Sequence, residues 1–130
     1  MKPRIAKDMP QHVRPKREGM DAQHLANVRQ LPCAVCGTIG LMPREAHHLL
    51  RTEERGLSRK SSDRWAIPLC VSCHHSLHMD GDEERYLAGW GIDGRAVAKS
   101  LWAARGDLDA MERVIFNVRQ RAALKVRGRH

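Results

Sequence analysis

The sequence predicts a small α+β domain stapled by zinc, with additional helices toward its C-terminal end. Three observations predict it. Four cysteines fall in two short pairs, Cys33-Ala-Val-Cys36 and Cys70-Val-Ser-Cys73. Histidines gather between and just after these pairs, as Ala46-His47-His48 and as His74-His75-Ser-Leu-His78. Short strand-like runs flank this core, and segments of helical period follow it.

Composition narrows the class. At 130 residues the chain is the size of one domain. Aromatic content is only 4%, and a small core so poor in large rings needs a staple such as a metal. Disulfide scaffolds spread their cysteines along the chain and usually follow a signal peptide, so CxxC pairs suit zinc better. The start, Met1-Lys-Pro-Arg, has no apolar signal core, and no run approaches the roughly 18 apolar residues of a membrane span. The expectation is a soluble protein of a reducing, bacterial cytoplasm, with no membrane partner. A net charge of +8 favours an anionic partner, nucleic acid first.

Three segments are expected: a flexible basic arm at 1–19, a metal-stapled domain at 20–106, and a C-terminal amphipathic basic helix and tail at 107–130. The arm carries Lys2, Arg4, Lys7, Arg14, Lys16 and Arg17 and is broken by Pro3, Pro10 and Pro15, with no hydrophobic period. Asp21 caps a short helix to Gln30, with Leu25 and Val28 facing inward. Gly37 follows the first CxxC, as a tight knuckle turn requires. Glu45 to Leu50 reads as a strand carrying the histidine pair, and 51–63 as a polar loop. Trp65 to Cys70 reads as a second strand, with Pro68 barring a central position. Cys73 to Met79 reads as a helix that sets His74 and His78 one turn apart on one face. Further helices are expected at Asp82–Gly89, at Gly94–Arg105 after the cap Asp93, and at Leu108–Val126 after the cap Asp107. The last has an apolar stripe of Leu108, Met111, Ile115, Val118 and Ala122. Its other face and the tail carry Arg113, Arg119, Arg121, Lys125, Arg127 and Arg129.

Two CxxC pairs point to a four-thiolate zinc site formed by Cys33, Cys36, Cys70 and Cys73. Four thiolates leave no open coordination position, so this zinc holds the fold together and does no chemistry. The chain between the pairs is longer than in a minimal zinc ribbon, so a further element is inserted there.

That insert, with its histidine pair on a strand, a loop, and helix histidines beside a CxxC, resembles the HNH endonuclease superfamily of ββα-metal fold. The likeness is greatest to its phage and prophage branch, related to the recombination enhancement nuclease. It is carried by Cys33–Cys36, His47-His48, Gly56 with Lys60 and Asp63, and Ile67-Pro-Leu-Cys70 with His74 and Leu77-His78. It covers roughly residues 31–102, with a weaker match in Trp90-Gly-Ile-Asp93. The resemblance implies that His47, His74 and His78 bind a catalytic divalent metal (Mg²⁺, Mn²⁺, Ni²⁺ or Zn²⁺) and that His48 is the general base. It implies DNA as substrate and cleavage to 5′-phosphate and 3′-hydroxyl ends. The sequence departs from the pattern at Trp65, where the usual central asparagine would fall. Asp63 is a neighbour able to orient His48, and His75 is an alternative to His74 as ligand.

The chemistry is coherent on its own terms. Phosphodiester hydrolysis needs a nucleophile, neutralisation of phosphoryl charge and stabilisation of the leaving oxygen. A neutral histidine can activate water at neutral pH. Neighbours in a strand point to opposite sides, so His47 and His48 are expected to divide the roles of ligand and base. Arg51, Arg55, Arg59, Lys60 and Arg64 are either phosphate contacts or a solvated face. Trp65, Trp90 and Trp102 are read as core rather than base-stacking platforms, and His12, His24 and His130 as non-ligands. The reading is a metal-dependent HNH endonuclease acting on DNA, phage or prophage encoded, with a phage or recombination protein as possible partner. The rival is a non-catalytic zinc-finger nucleic-acid-binding protein, or an accessory subunit of a phage DNA-processing complex.

Overall fold

The computed structural model describes residues 20–50 and 62–127. The architecture is mixed α/β, mostly helical around a small two-stranded sheet. In chain order the elements are α1 (Ala22–Arg29), β1 (Glu45–His48), a 3-10 turn (Asp63–Trp65), β2 (Ala66–Leu69), α2 (Val71–Asp80), α3 (Glu83–Gly89), α4 (Gly94–Ala103) and α5 (Leu108–Arg127). The basic arm at 1–19 and Arg51, Arg55, Arg59 and Lys60 lie outside the described residues. Among the described residues no helix is long and apolar enough to cross a membrane.

The helix starts follow from their caps. The carboxylates of Asp21, Asp82, Asp93 and Asp107 each accept from a backbone N–H in the first turn of the next helix, at 2.9 to 3.2 Å. Helix α2 is capped differently: the Cys70 sulfur accepts from Cys73 N–H, so the second CxxC is also the helix entry. The helix therefore begins at Val71, two residues earlier than the sequence suggested. It ends at Gly81, whose φ of +85° is a left-handed C-cap.

Strands β1 and β2 are antiparallel, with Glu45 opposite Leu69, Ala46 opposite Pro68, His47 opposite Ile67 and His48 opposite Ala66. In a two-stranded sheet both strands are edges, which is where Pro68 is tolerated. The Pro68 carbonyl accepts from Ala34 N–H at 2.9 Å, which docks the first knuckle on β2. Trp65, expected to open the strand, ends the 3-10 turn instead, and its carbonyl accepts from Leu49 N–H at 3.0 Å.

One hydrophobic cluster runs through the domain. Val28 and Leu31 from the first helix region, Ile67 and Leu69 from β2, Leu101 from α4, and Met111 and Ile115 from α5 are among its fully buried side chains. Burial of each is worth roughly 1.5–3 kcal/mol. The predicted α5 stripe faces this core, with Met111, Ile115 and Ala122 buried. Gly91 permits the close approach of α5: its φ is +79°, and a Cβ there would sit 3.0 Å from the Ala122 carbonyl oxygen.

Three expectations need correcting, and one buried charge was not anticipated. Trp65 is core, but Trp90 is 46% exposed, because it caps α3 on the surface. The inward face of α1 is His24 and Val28, with Leu25 only partly buried. Arg119 lies partly buried against the first knuckle, donating to Ala34 O at 3.4 Å, rather than facing outward with Arg113 and Arg121. Arg44, unremarked in the sequence, is buried and donates to Leu31 O at 2.7 Å and Met42 O at 2.9 Å, tying the approach to β1 onto the end of α1.

Two predictions follow from this packing. Met111→Ala should lower stability by about 2–5 kcal/mol in chemical denaturation, as for a buried truncation that cannot collapse. His24 is buried edge-on against Trp102, with ring centroids 5.0 Å apart, and neither ring nitrogen has a hydrogen-bond partner among the described residues. Burial pushes its pKa below 6.5; the charges of Asp21 and Asp63 oppose this and Arg105 adds to it. The unfolded chain therefore takes up this proton first as pH falls through 6.5, so stability is full above that value and declines below it until the folded group titrates. His24→Phe should show a smaller acid-side loss than the parent in denaturation midpoints compared at about pH 7.5 and 5.5.

Candidate functional site

The structure brings the four cysteines to one point. The Cys33, Cys36, Cys70 and Cys73 sulfurs all lie within 4.8 Å of one another. Cys36 and Cys70 sulfurs are 3.8 Å apart, far outside a disulfide bond, and all four thiols are free. The first knuckle is closed by Gly37 N–H to Cys33 O at 2.8 Å, with Gly37 at φ +78° as its position demands. Such a set can hold a structural metal such as zinc. Its electrostatics point the same way. Burial, together with the neighbouring Cys33, pushes the Cys73 thiol far above its ordinary range, and burial also raises Cys36. At Cys70 burial acts upward too, but is outweighed by the Cys73 N–H and the adjoining sulfurs, which hold that thiol low. Four crowded sulfurs cannot all ionise unless a cation neutralises them.

A second convergence joins β1 and α2. His47 from β1 and His74 and His78 from α2 bring ring nitrogens within 4.8 Å of one another. His47 Nδ1 is 3.0 Å from His74 Nε2, which is 3.1 Å from His78 Nε2. The helical spacing of four stacks His74 above His78, and strand alternation turns His47 inward to meet them. His47 is 4% exposed, while His78 opens to solvent. His75 is exposed and outside the cluster, so the open choice between His74 and His75 falls to His74.

His48 is not a member of this cluster. Its Nε2 is 2.8 Å from Asp63 Oδ1, and Asp63 Oδ2 accepts from the Asp21 N–H at 2.7 Å. The two adjacent histidines thus have separate surroundings, as alternation along a strand requires. Of the basic residues expected to touch nucleic acid, Arg64 is described: its guanidinium carbon lies 5.6 Å from the centre of the Trp102 ring. Arg105 shares that ring at 4.2 Å, while Arg95 and Lys99 lie 5.8 and 5.9 Å from the Trp65 ring. These cations flank the turn that carries Asp63.

Two acidic residues at the histidine cluster were missed. Glu45 Oε1 hydrogen-bonds His74 Nδ1. The signal existed: Glu45 is two residues before His47 in a strand, hence on the same face. Glu83, at the start of α3, is buried with Oε1 2.7 Å from His47 Nε2. Nothing local marks it, since it reads only as the first helical residue after the cap Asp82.

Residues 2–104 match the family described as a protein of unknown function, DUF968. The chain is also similar to the uncharacterized protein YdfU of Escherichia coli (strain K12), at 33% identity over 66 residues. That match covers 50% of this chain and 18% of the E. coli protein, so the chain spans well under two thirds of its relative's length. No solved structure matches.

Cys70→Ser should release bound zinc, read with a colorimetric chelator, and lower or abolish the cooperative melting transition. An unchanged melting curve with full metal content would contradict a structural role for the four thiols.

Proposed function

The chain belongs to the DUF968 family, and we propose that it is a metal-dependent HNH endonuclease that hydrolyses DNA phosphodiester bonds. The observation that carries this reading is the convergence of His47, His74 and His78, with His48 held apart and braced by Asp63. An antiparallel β1–β2 pair followed directly by α2 has the order expected of a ββα-metal core, with one ligand on the first strand and two on the helix.

The donor set fits a catalytic cation. Among the described residues the cluster has three imidazoles and no fourth protein ligand, which leaves positions for substrate and water. Imidazole donors suit zinc and nickel, and their number does not exclude a harder ion with bound water. When bound there, a divalent cation neutralises the phosphoryl charge and stabilises the departing 3′-oxygen.

The protein's own groups supply the proton transfer. A carboxylate only accepts hydrogen bonds, so the Asp63 contact places the ring proton of neutral His48 on Nε2. Nδ1 is left as the basic nitrogen, able to take a proton from the attacking water. Water oxygen bonds to phosphorus, the bond to the 3′-oxygen breaks, and that oxygen is protonated from solvent. Asp63 fixes the base in orientation and tautomer, and is itself fixed by the Asp21 N–H. This bracing from the 3-10 turn accompanies the departure at Trp65, whose ring is buried. The net charge of +8, and the cations over Trp65 and Trp102 beside that turn, support a polyanionic substrate.

The test is plasmid nicking by protein that keeps its structural zinc, re-supplied with Mg²⁺, Mn²⁺, Ni²⁺ or Zn²⁺. His48→Ala should lose about 10²–10⁴-fold in cleavage while DNA binding persists. Full activity in that variant would remove His48 as base. DNA binding without cleavage under every metal would favour the non-catalytic zinc-finger or accessory-subunit reading.

A further inference from the structure

With the rings neutral and the carboxylates ionised, the contacts inside the histidine cluster cannot all be hydrogen bonds. A carboxylate at neutral pH accepts and never donates. Glu83 therefore requires the ring proton of neutral His47 on Nε2, which leaves a lone pair on Nδ1. Glu45 likewise requires the His74 proton on Nδ1, which leaves a lone pair on Nε2. These two nitrogens, His47 Nδ1 and His74 Nε2, face each other at 3.0 Å. Two acceptors at that distance repel unless an added proton or a metal cation lies between them, and a metal can be held by both lone pairs at once.

The two carboxylates are not equivalent. Glu45 has a side chain 47% exposed, so water competes for its bond to His74. Glu83 is 7% exposed and held from a second direction: Leu50 N–H donates to Oε2 at 3.0 Å and more weakly to Oε1 at 3.3 Å. Its carboxylate can neither rotate freely nor exchange His47 for water. It lies on α3, beyond the strand pair and helix that supply the three ligands.

We infer that Glu83 is a positioning residue that makes His47 a metal ligand through Nδ1, fixing both its ring orientation and its tautomer. This rests on the metal site proposed above. The cluster is then a mixed one, with His47 binding through Nδ1 and His74 and His78 through Nε2. The carboxylate also makes His47 a more basic donor, as hydrogen-bonded partners of metal-binding histidines do. Glutamine replaces it poorly, since one oxygen would have to serve both donors and Leu50 would keep only the weaker 3.3 Å contact. If the amide oxygen turns to His47, the amide NH₂ meets the Leu50 N–H. If the oxygen turns to Leu50, the NH₂ meets His47 Nε2 and draws the ring proton to Nδ1, withdrawing the ligand.

Cobalt(II) titration of protein carrying zinc in its thiolate site tests this, with long-range ¹H–¹⁵N spectra of the same protein before cobalt is added. The wild type should show His47 protonated at Nε2 and should bind one cobalt at the histidines. Glu83→Gln should bind it about 10- to 100-fold more weakly while retaining zinc. Glu84→Gln, an exposed neighbour on the same helix, should match the wild type. Equal cobalt affinity in Glu83→Gln, or a His47 ring protonated at Nδ1 in the wild type, would overturn the role of Glu83 and leave the metal site standing. A wild type that takes up no cobalt at the histidines would overturn the metal site and this role with it. The tautomer is read on the wild type, so a Glu83→Gln protein that fails to fold does not shield the inference.

Discussion

Four sulfurs from two distant parts of the chain must meet within a few ångströms, and much of the domain is arranged around that requirement. Meeting it sets the first knuckle on β2 through Ala34 and Pro68, and puts the second knuckle at the entrance to α2. Cys70 has two duties. Its sulfur belongs to the cluster and caps the helix, and its carbonyl accepts from His74 N–H at 2.9 Å. The cysteine cluster therefore sets the rotational phase of α2, and with it the face on which His74 and His78 project. A structural site and a histidine cluster that share one cap cannot move independently.

The strand makes the complementary choice. Alternation along β1 sends His47 to one side and His48 to the other, so one dipeptide serves two environments: a buried one beside Glu83 and a half-exposed one beside Asp63. Each histidine is braced by an acid from an element other than its own. Bracing from several directions is how a short, two-stranded sheet, which is weak in isolation, holds side chains in fixed geometry.

Much of this was legible in the residues because it rests on local rules. The CxxC spacing predicted the sulfur cluster, the four-residue step predicted the His74–His78 face, and the aspartates Asp21, Asp93 and Asp107 marked three helix starts. The α5 stripe was legible for the same reason. What could not be read depends on tertiary neighbours. Glu83 meets His47 only because α3 folds back on β1, and its local context as a first-turn acid explains it without any site. His24 is buried because Trp102, from a remote helix, closes over it. Trp90, a residue whose type favours the core, ends up outside because a helix ends there. Asp63 lay between these cases: its link to His48 was legible from its place near the motif, but its brace from the Asp21 N–H was not.

The contact between α5 and the rest of the core bears on where this family's unit ends. The family match stops at residue 104, yet Met111, Ile115 and Ala122 are buried in the same cluster as Ile67 and Leu101, and Gly91 is shaped to admit the helix. A boundary drawn by sequence likeness would strip a wall from the interior and bare a greasy seam to water. Helix α5 thus shares one interior with the matched region, and any chain of this kind without it would need some other segment to cover the same surface.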